Sequence, residues 1–274
     1  MESGGISVQC RSSTLTAAGL LLCVSVITTI HPTSGTAIEP STAIAAEHRP
    51  AGTDRPWICT NMISSLDGAT AVDGLSGGLG APADLDVFLS LRGIADAVLV
   101  GSTTAKTEHY KPPMPSDAVV DMRRRRNQAD RPVIVVITQR LSITPDAPLF
   151  SDPSYRPVLV TSSDASPPHA GALESVADVV RTGPGDVDLG IALRELRQRG
   201  LAVALLEGGP TLNGAFIAAD LIDEWNLTTS PVLVGGPSDR PARSAEVGIP
   251  HPFNLDRIWT GDELLFSRWL RTKR

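Results

Sequence analysis

Three short runs, each at the end of an apolar segment, carry the groups best suited to chemistry in this 274-residue chain. The first is Glu207-Gly208-Gly209-Pro210-Thr211-Leu212, after the apolar stretch Ala202–Leu206 and before the helix-like stretch Asn213–Ala219. Two glycines let a backbone approach a ligand closely. Pro210 suits the first turn of a helix, whose free amides attract phosphate. The same run also reads as a plain strand-to-helix turn. Glu207, at the lip of its strand, is placed to point into a ligand crevice, or else to offer a negative charge to the following helix.

The second run is Val100-Gly101-Ser102-Thr103-Thr104, whose hydroxyls and amides suit another phosphate oxygen, although Ser and Thr equally cap helices. The third is Ile137-Thr138-Gln139-Arg140. A hydroxyl beside a guanidinium suits a ribose 2′-phosphate, and an ordinary exposed loop has the same composition.

These runs make sense only if the elements before them are strands of one parallel sheet. From Trp57 onward, short apolar runs alternate with helix-like segments: Trp57–Ile63, a helix from Pro82 to about Ala95, then Ala97–Gly101, Val133–Thr138, Val158–Thr161, Val179–Arg181, a helix within Val187–Arg199, and Ala202–Leu206. Strands alternating with helices indicate βαβ units. After Leu221 the spacing changes to Trp225–Thr229, Val232–Val234, Arg257–Thr260 and Leu264–Leu270, which reads as antiparallel strands at one edge. The expectation is one α/β domain over 57–274 with a mixed, mainly parallel sheet between helical layers.

Residues 1–56 look different. An apolar run from Leu15 to Ile30 follows Arg11, and small residues follow to Ala37, so 15–37 has the outline of an export signal. A disordered extension and a start codon placed too early are the alternatives. Pro32–Pro56, rich in Pro, Ala, Thr and Ser, reads as a linker. A chain lacking residues 1–52 is therefore expected to fold and to bind its cofactor.

Lys and Arg number 24 against 30 Asp and Glu, a net charge of −6, which excludes a nucleic-acid surface built on bulk positive charge. Cys10, Cys23 and Cys59 share no metal-ligand spacing, and no metal site is expected. The basic run Arg123–Arg126 reads as a solvated helix face. His109, a lone loop histidine, reads as a bystander.

Taken in order, Ser64-Ser65-Leu66-Asp67-Gly68, Leu91-Arg92, the Gly101–Thr104 loop and the Glu207–Leu212 loop make the chain resemble the bacterial pyrimidine reductases of riboflavin biosynthesis. The resemblance implies a dihydrofolate-reductase-like α/β/α fold and reduction of the ribosyl group of 5-amino-6-(5-phosphoribosylamino)uracil to ribityl by NADPH. It further implies a cytoplasmic homodimer acting on a small molecule, with no nucleic acid or membrane as partner. On this resemblance Gly208, Gly209, Pro210, Thr211, Thr104, Glu108, Thr138 and Arg140 hold the cofactor, with a cis peptide at the Gly208-Gly209 loop as in dihydrofolate reductases. Ser76, Arg92 and Glu207 contact substrate, and the Ser65–Gly68 turn lies beside the nicotinamide, making Asp67 and Glu207 catalytic candidates.

Two departures bear on the substrate. Residues 1–56 hold no His-x-Glu or Pro-Cys-x-x-Cys zinc deaminase signature, so this chain is expected to supply only the reductase half. The family's Asp-x-Pro-x-Leu-x-x-Arg pattern is replaced by Glu108-His109-Tyr110-Lys111-Pro112-Pro113-Met114-Pro115, without that arginine. A dihydrofolate or pterin-like substrate, or a non-catalytic NADPH sensor, are the rival readings.

Overall fold

The structure is a computed structural model that describes residues 13–15, 21–23, 26–32, 35–244 and 248–272. A two-stranded ribbon, β1 (Ser13–Leu15) and β2 (Leu21–Cys23), precedes the main sheet. The elements that follow are β3 (Ile27–His31), β4 (Ala37–Ile38), α1 (Pro40–Ala46), β5 (Trp57–Thr60), β6 (Met62–Ser65), α2 (Pro82–Ile94), β7 (Ala97–Gly101), α3 (Ser102–Thr107) and α4 (Asp117–Arg125). Then come β8 (Val133–Ile137), β9 (Val158–Thr161), α5 (Ala170–Val176), β10 (Asp178–Arg181), α6 (Leu189–Gln198), β11 (Val203–Leu206), α7 (Pro210–Ala218), β12 (Glu224–Ser230), β13 (Phe253–Gly261) and β14 (Leu264–Arg271).

The main sheet runs β10-β9-β8-β7-β11-β5-β12-β14-β13-β3-β4, with β6 also paired to β12. Pairing is parallel from β10 through β12 and antiparallel from β12 to β4. This is the mixed, mainly parallel sheet expected. Its central strands are apolar throughout because helices cover both faces. Along β11, Ala204 and Leu206 join α6 and α7 in one cluster, through Leu193, Leu196 and Phe216. The alternate residues Val203 and Leu205 face α1 and α2 through Ile44, Val87 and Leu91. Trp57–Ile63, expected as one run, is two strands that break at Asn61.

The segment 32–56 expected as a linker, together with the strand just before it, is part of the fold. β3 pairs with β13, and Ile27 and Ile44 are buried in the core. Glu47 and Arg49 enter a buried ion network in which Arg49 donates to Glu224 at 2.8 Å, Arg257 to Glu47 at 2.5 Å and Arg268 to Glu224 at 2.9 Å. Charged groups inside a protein need such partners. Composition concealed this because two apolar and two charged side chains among many small residues set the role. The signal-like stretch 15–37 lies partly outside the described residues.

Two smaller expectations also change. Val232–Val234 is a loop, not a strand, lying between Pro231 and the positive-φ pair Gly235-Gly236. Arg123 is fully buried, donating to the carbonyls of Gly93, Ala95 and Ala129, while Arg124, Arg125 and Arg126 are exposed as expected. These carbonyls lie at and beyond the C-terminal end of α2 and beyond α4, so Arg123 ties the two helices together.

Candidate active site

A cleft of about 1540 Å³ opens along the carboxyl ends of β5, β7 and β11, the start of β6 and the first turns of α2 and α7. Such a position is where parallel α/β sheets take ligands. Its floor is the Gly208-Gly209 loop. The Gly101 amide donates to the Gly208 carbonyl at 2.7 Å, joining the ends of β7 and β11. Gly208 has φ +85°, and the Gly208-Gly209 peptide is cis. A Cβ on Gly209 would stand 2.5 Å from Thr104 Oγ1, so only glycine fits there. Gly209 also caps α7 without a side-chain hydrogen bond, leaving the amides of that first turn free of any side-chain partner. This cradle, closed by glycine backbone, a threonine hydroxyl and a helix N-terminus, fits a pyrophosphate.

On one wall, Glu207 is gripped by two residues. Arg92 Nε and Nη2 donate to its two carboxylate oxygens at 2.7 Å each, and the Tyr110 hydroxyl donates to Oε2. The Glu207 side chain is 3% exposed and that of Arg92 is 25% exposed. Arg92 also lies over the rings of Phe88 and Tyr110, at 4.3 and 5.3 Å. Burial opposes the Arg92 charge, but Glu207 more than offsets this and holds the guanidinium above its ordinary range. Burial, reinforced by Glu207, pushes the Tyr110 phenol well up, so it remains a neutral donor.

Ser76 and Glu108 meet across the cleft mouth, where the Ser76 hydroxyl donates to Glu108 Oε1 at 3.1 Å. Ser76, Arg92, Thr104, Glu108, Glu207, Gly209 and Pro210 all line the cleft. Asp67 does not. It accepts from the Ser65 hydroxyl and from the Val234 and Gly235 amides at 3.2 and 2.7 Å, which bring its carboxyl down to about 2. Its structural task is therefore to clamp the 231–239 loop, whose Val234, Gly235 and Ser238 line the cleft. Thr138 is buried and accepts from the Ser142 amide at 3.2 Å, while Arg140 is exposed. They lie past β8, and the Ser102–Ser142 hydroxyl pair at 3.1 Å links that turn to the end of β7. Thr211 accepts from Arg243 at 3.3 Å on the exposed side of α7.

Sequence reading missed Tyr110, although it lies inside the departing segment Glu108–Pro115. It also missed Asp84 in the first turn of α2, which lines the cleft and whose carboxyl is raised by burial. An acid at a helix start looks like ordinary capping, so nothing in the sequence marked it. Among the described residues no His, Cys, Asp or Glu cluster could hold a metal, and no helix is long and apolar enough to cross a membrane.

The 2,5-diamino-6-ribosylamino-4(3H)-pyrimidinone 5′-phosphate reductase of Methanothermobacter thermautotrophicus is 31% identical over 183 residues, covering 66% of this chain and 81% of that protein. Riboflavin biosynthesis protein RibD of Chlamydia muridarum is 32% identical over 188 residues, covering 67% of this chain and 48% of that protein. The crystal structure of a pyrimidine reductase-like protein from Corynebacterium diphtheriae shares the fold at TM-score 0.75 and 23% identity, over 85% of this chain and 99% of that one. The sequence model of the RibD C-terminal domain matches residues 56–263. This chain belongs to the RibD C-terminal domain family.

Proposed function

We propose that the chain is an NADPH-dependent pyrimidine reductase of riboflavin biosynthesis, converting the ribosyl group of 5-amino-6-(5-phosphoribosylamino)uracil to ribityl. The observation that carries the reading is the glycine cradle at Gly208-Gly209 set directly beside the Arg92–Glu207–Tyr110 group in one cleft. The cradle, with Thr104 and the first turn of α7, would hold the cofactor pyrophosphate. Bound there, NADPH supplies a hydride. Arg92, held rigid by Glu207, would orient the polar substrate, and Ser76 with Glu108 would close the mouth. The Asp67 clamp would keep the 231–239 loop against the bound pair. Positioning of this kind is the main contribution a protein makes to hydride transfer.

The Methanothermobacter relative is named for the 2,5-diamino-pyrimidinone analogue, so that compound is the second candidate substrate. Turnover with NADPH is expected on one of these two phosphoribosylaminopyrimidines and not on dihydrofolate. Oxidation of NADPH by dihydrofolate alone would replace this reading, and binding of NADPH without turnover on any of the three would favour a sensor.

The adenosine end would run along the ends of β7 and β8, past Ser102 and Ser142 to Thr138 and Arg140. NADPH is expected to bind at least about tenfold more tightly than NADH, because a charge-assisted hydrogen bond contributes ~1.5–3 kcal/mol. Arg140→Ala should narrow that gap; equal affinities in the wild type, measured by titration calorimetry, would remove the role given to Arg140. Homodimerisation and a cytoplasmic location belong to the same reading.

A further inference from the structure

The reduction proposed above adds hydride to a carbon and therefore needs a proton for the neighbouring nitrogen. The cleft is lined by five carboxyl groups: Asp73, Asp84, Glu108, Glu207 and Asp239. Glu207 is paired with Arg92 at 2.7 Å. Asp239 pairs with Arg243 at 3.0 Å. Glu108 accepts from both the Ser76 amide and hydroxyl. Asp73 is exposed on a turn. Asp84 is half-buried like Glu108, but its side-chain partner is the single Thr228 hydroxyl, whereas Glu108 accepts twice from Ser76.

Capping does not account for Asp84. An acid in the third position of a helix commonly reaches back to the N-cap amide. Here the N-cap is Ala81, with no side-chain cap, and the Ala83 amide is served by Asp262 at 2.9 Å. The Asp84 carboxyl instead sits against Gly80, where an added Cβ would come within 3.1 Å of its Oδ2, and Asp84 lines the cleft together with Gly80, Leu85, Phe88 and Arg92. Thr228 lies on β12 in register with Ile63 of β6, which lines the same cleft.

We propose that Asp84 is the proton donor of the reduction. The substrate's ring-opened ribosyl group presents a C1′=N bond. Hydride from the nicotinamide forms the new C–H bond at C1′, and the cofactor is oxidised. The π pair of C1′=N moves to nitrogen, where it takes the proton from the Asp84 carboxyl, which is left as a carboxylate and regains a proton from water at the cleft mouth. Other polar hydrogens are less suited: the Tyr110 hydroxyl is engaged with Glu207, while His109 and Lys111 are exposed at the rim. Burial raises the Asp84 carboxyl above its ordinary range, which favours the proton-bearing form. The charged and titratable groups around it are Asp86 and Arg92 on α2, Glu39 at the start of α1, Asp262 in the β13–β14 turn, and Glu108, Glu207, Tyr110, His109 and Lys111 lining the cleft. On the sheet side its partner is Thr228.

The test compares wild type, Asp84→Asn and Asp84→Glu in the full chain. Wild-type kcat should be level at low pH and fall on the alkaline side of the Asp84 pKa, because the donor must carry its proton. Asp84→Asn should lose at least about 100-fold in kcat together with that alkaline limb, and Asp84→Glu should recover part of both. NADPH affinity by calorimetry should stay within about twofold, and the melting temperature should stay equal or rise, since a buried carboxyl with a raised pKa opposes folding at neutral pH. Unchanged kcat in Asp84→Asn, or an unchanged alkaline limb, overturns the proposal. Infrared titration of the carboxyl band gives a separate readout: a group titrating above the ordinary aspartate range must be present in wild type and absent from Asp84→Asn. If wild type turns over neither pyrimidine, the proposed function fails; the infrared result then decides whether Asp84 carries the raised, proton-holding carboxyl the proposal requires, and its absence sinks the proposal independently.

Discussion

Removing residues 1–52 is expected to abolish cooperative folding. The deletion takes away Ile27 and Ile44, 2% and 0% exposed, each burying apolar surface that contributes ~1.5–3 kcal/mol. It also takes Arg49 from Glu224, a carboxylate with no exposure, and Glu47 from Arg257. Breaking a buried pair by removing one partner costs up to ~3–5 kcal/mol, less at Glu224, where Arg268 still donates at 2.9 Å. Together these losses rival the ~5–15 kcal/mol by which a whole protein is stable. Circular dichroism of the truncated chain should show no sharp melt, and Arg49→Met in the full chain should show a smaller fall of the same origin. A truncated protein melting within a few degrees of the full chain would show that the network contributes little.

The same network sets an acid limit. Burial alone would raise the Glu224 carboxyl, but Arg49 and Arg268 hold it down to about 2, against an ordinary 4.5. A carboxyl lowered by folding contributes stability that is complete above its unfolded pKa and is lost as pH falls through the folded one. Acid unfolding should therefore develop between about pH 4.5 and about pH 2, and Glu224→Gln should flatten that part of the curve.

What could be read from the chain, and what could not, follows from how each feature is encoded. The sheet was legible because strands buried on both faces write themselves as unbroken apolar runs, as Ala97–Gly101 and Val158–Thr161 do to the residue. The Gly208-Gly209 cradle was legible because its geometry restricts both positions to glycine. The role of residues 26–56 was hidden, since a strand pairing with a partner more than two hundred residues away leaves no local signal. Arg123 was misjudged for a related reason: its carbonyl partners come from three separate positions that only tertiary structure gathers. Asp84 and Tyr110 were missed because their significance lies in what they lack or share, a cation for the one and Glu207 for the other.

Glu207→Gln is expected to lower turnover efficiency by ~10–100-fold and, at the same time, to lower the melting temperature. From sequence alone Glu207 reads either as a substrate contact in the crevice or as a charge serving the following helix. Its side chain is 3% exposed, however, and three donors from Arg92 and Tyr110 already occupy its oxygens. A glutamine offers one oxygen and one NH₂, and the NH₂ must face a donor in place of an acceptor. Either Arg92 or Tyr110 then loses its partner, a cost of ~1–3 kcal/mol for an unsatisfied buried group. Arg92 also loses its counter-ion, though water reaches its side chain, 25% exposed, and keeps this below the full penalty of a sealed charge. With Arg92 free to swing, the substrate is no longer held in line and kcat/KM falls by the same ~1–3 kcal/mol, the ~10–100-fold expected. NADPH affinity should hardly change, because the Gly208-Gly209 backbone and Thr104 are untouched. Adding Arg92→Met separates the two effects: the double variant should regain the melting temperature, since no unpaired charge remains, but not the turnover. Wild-type kcat/KM in Glu207→Gln would show that the grip on Arg92 has no catalytic consequence. Recovery of turnover in the double variant would show that Arg92 orients nothing.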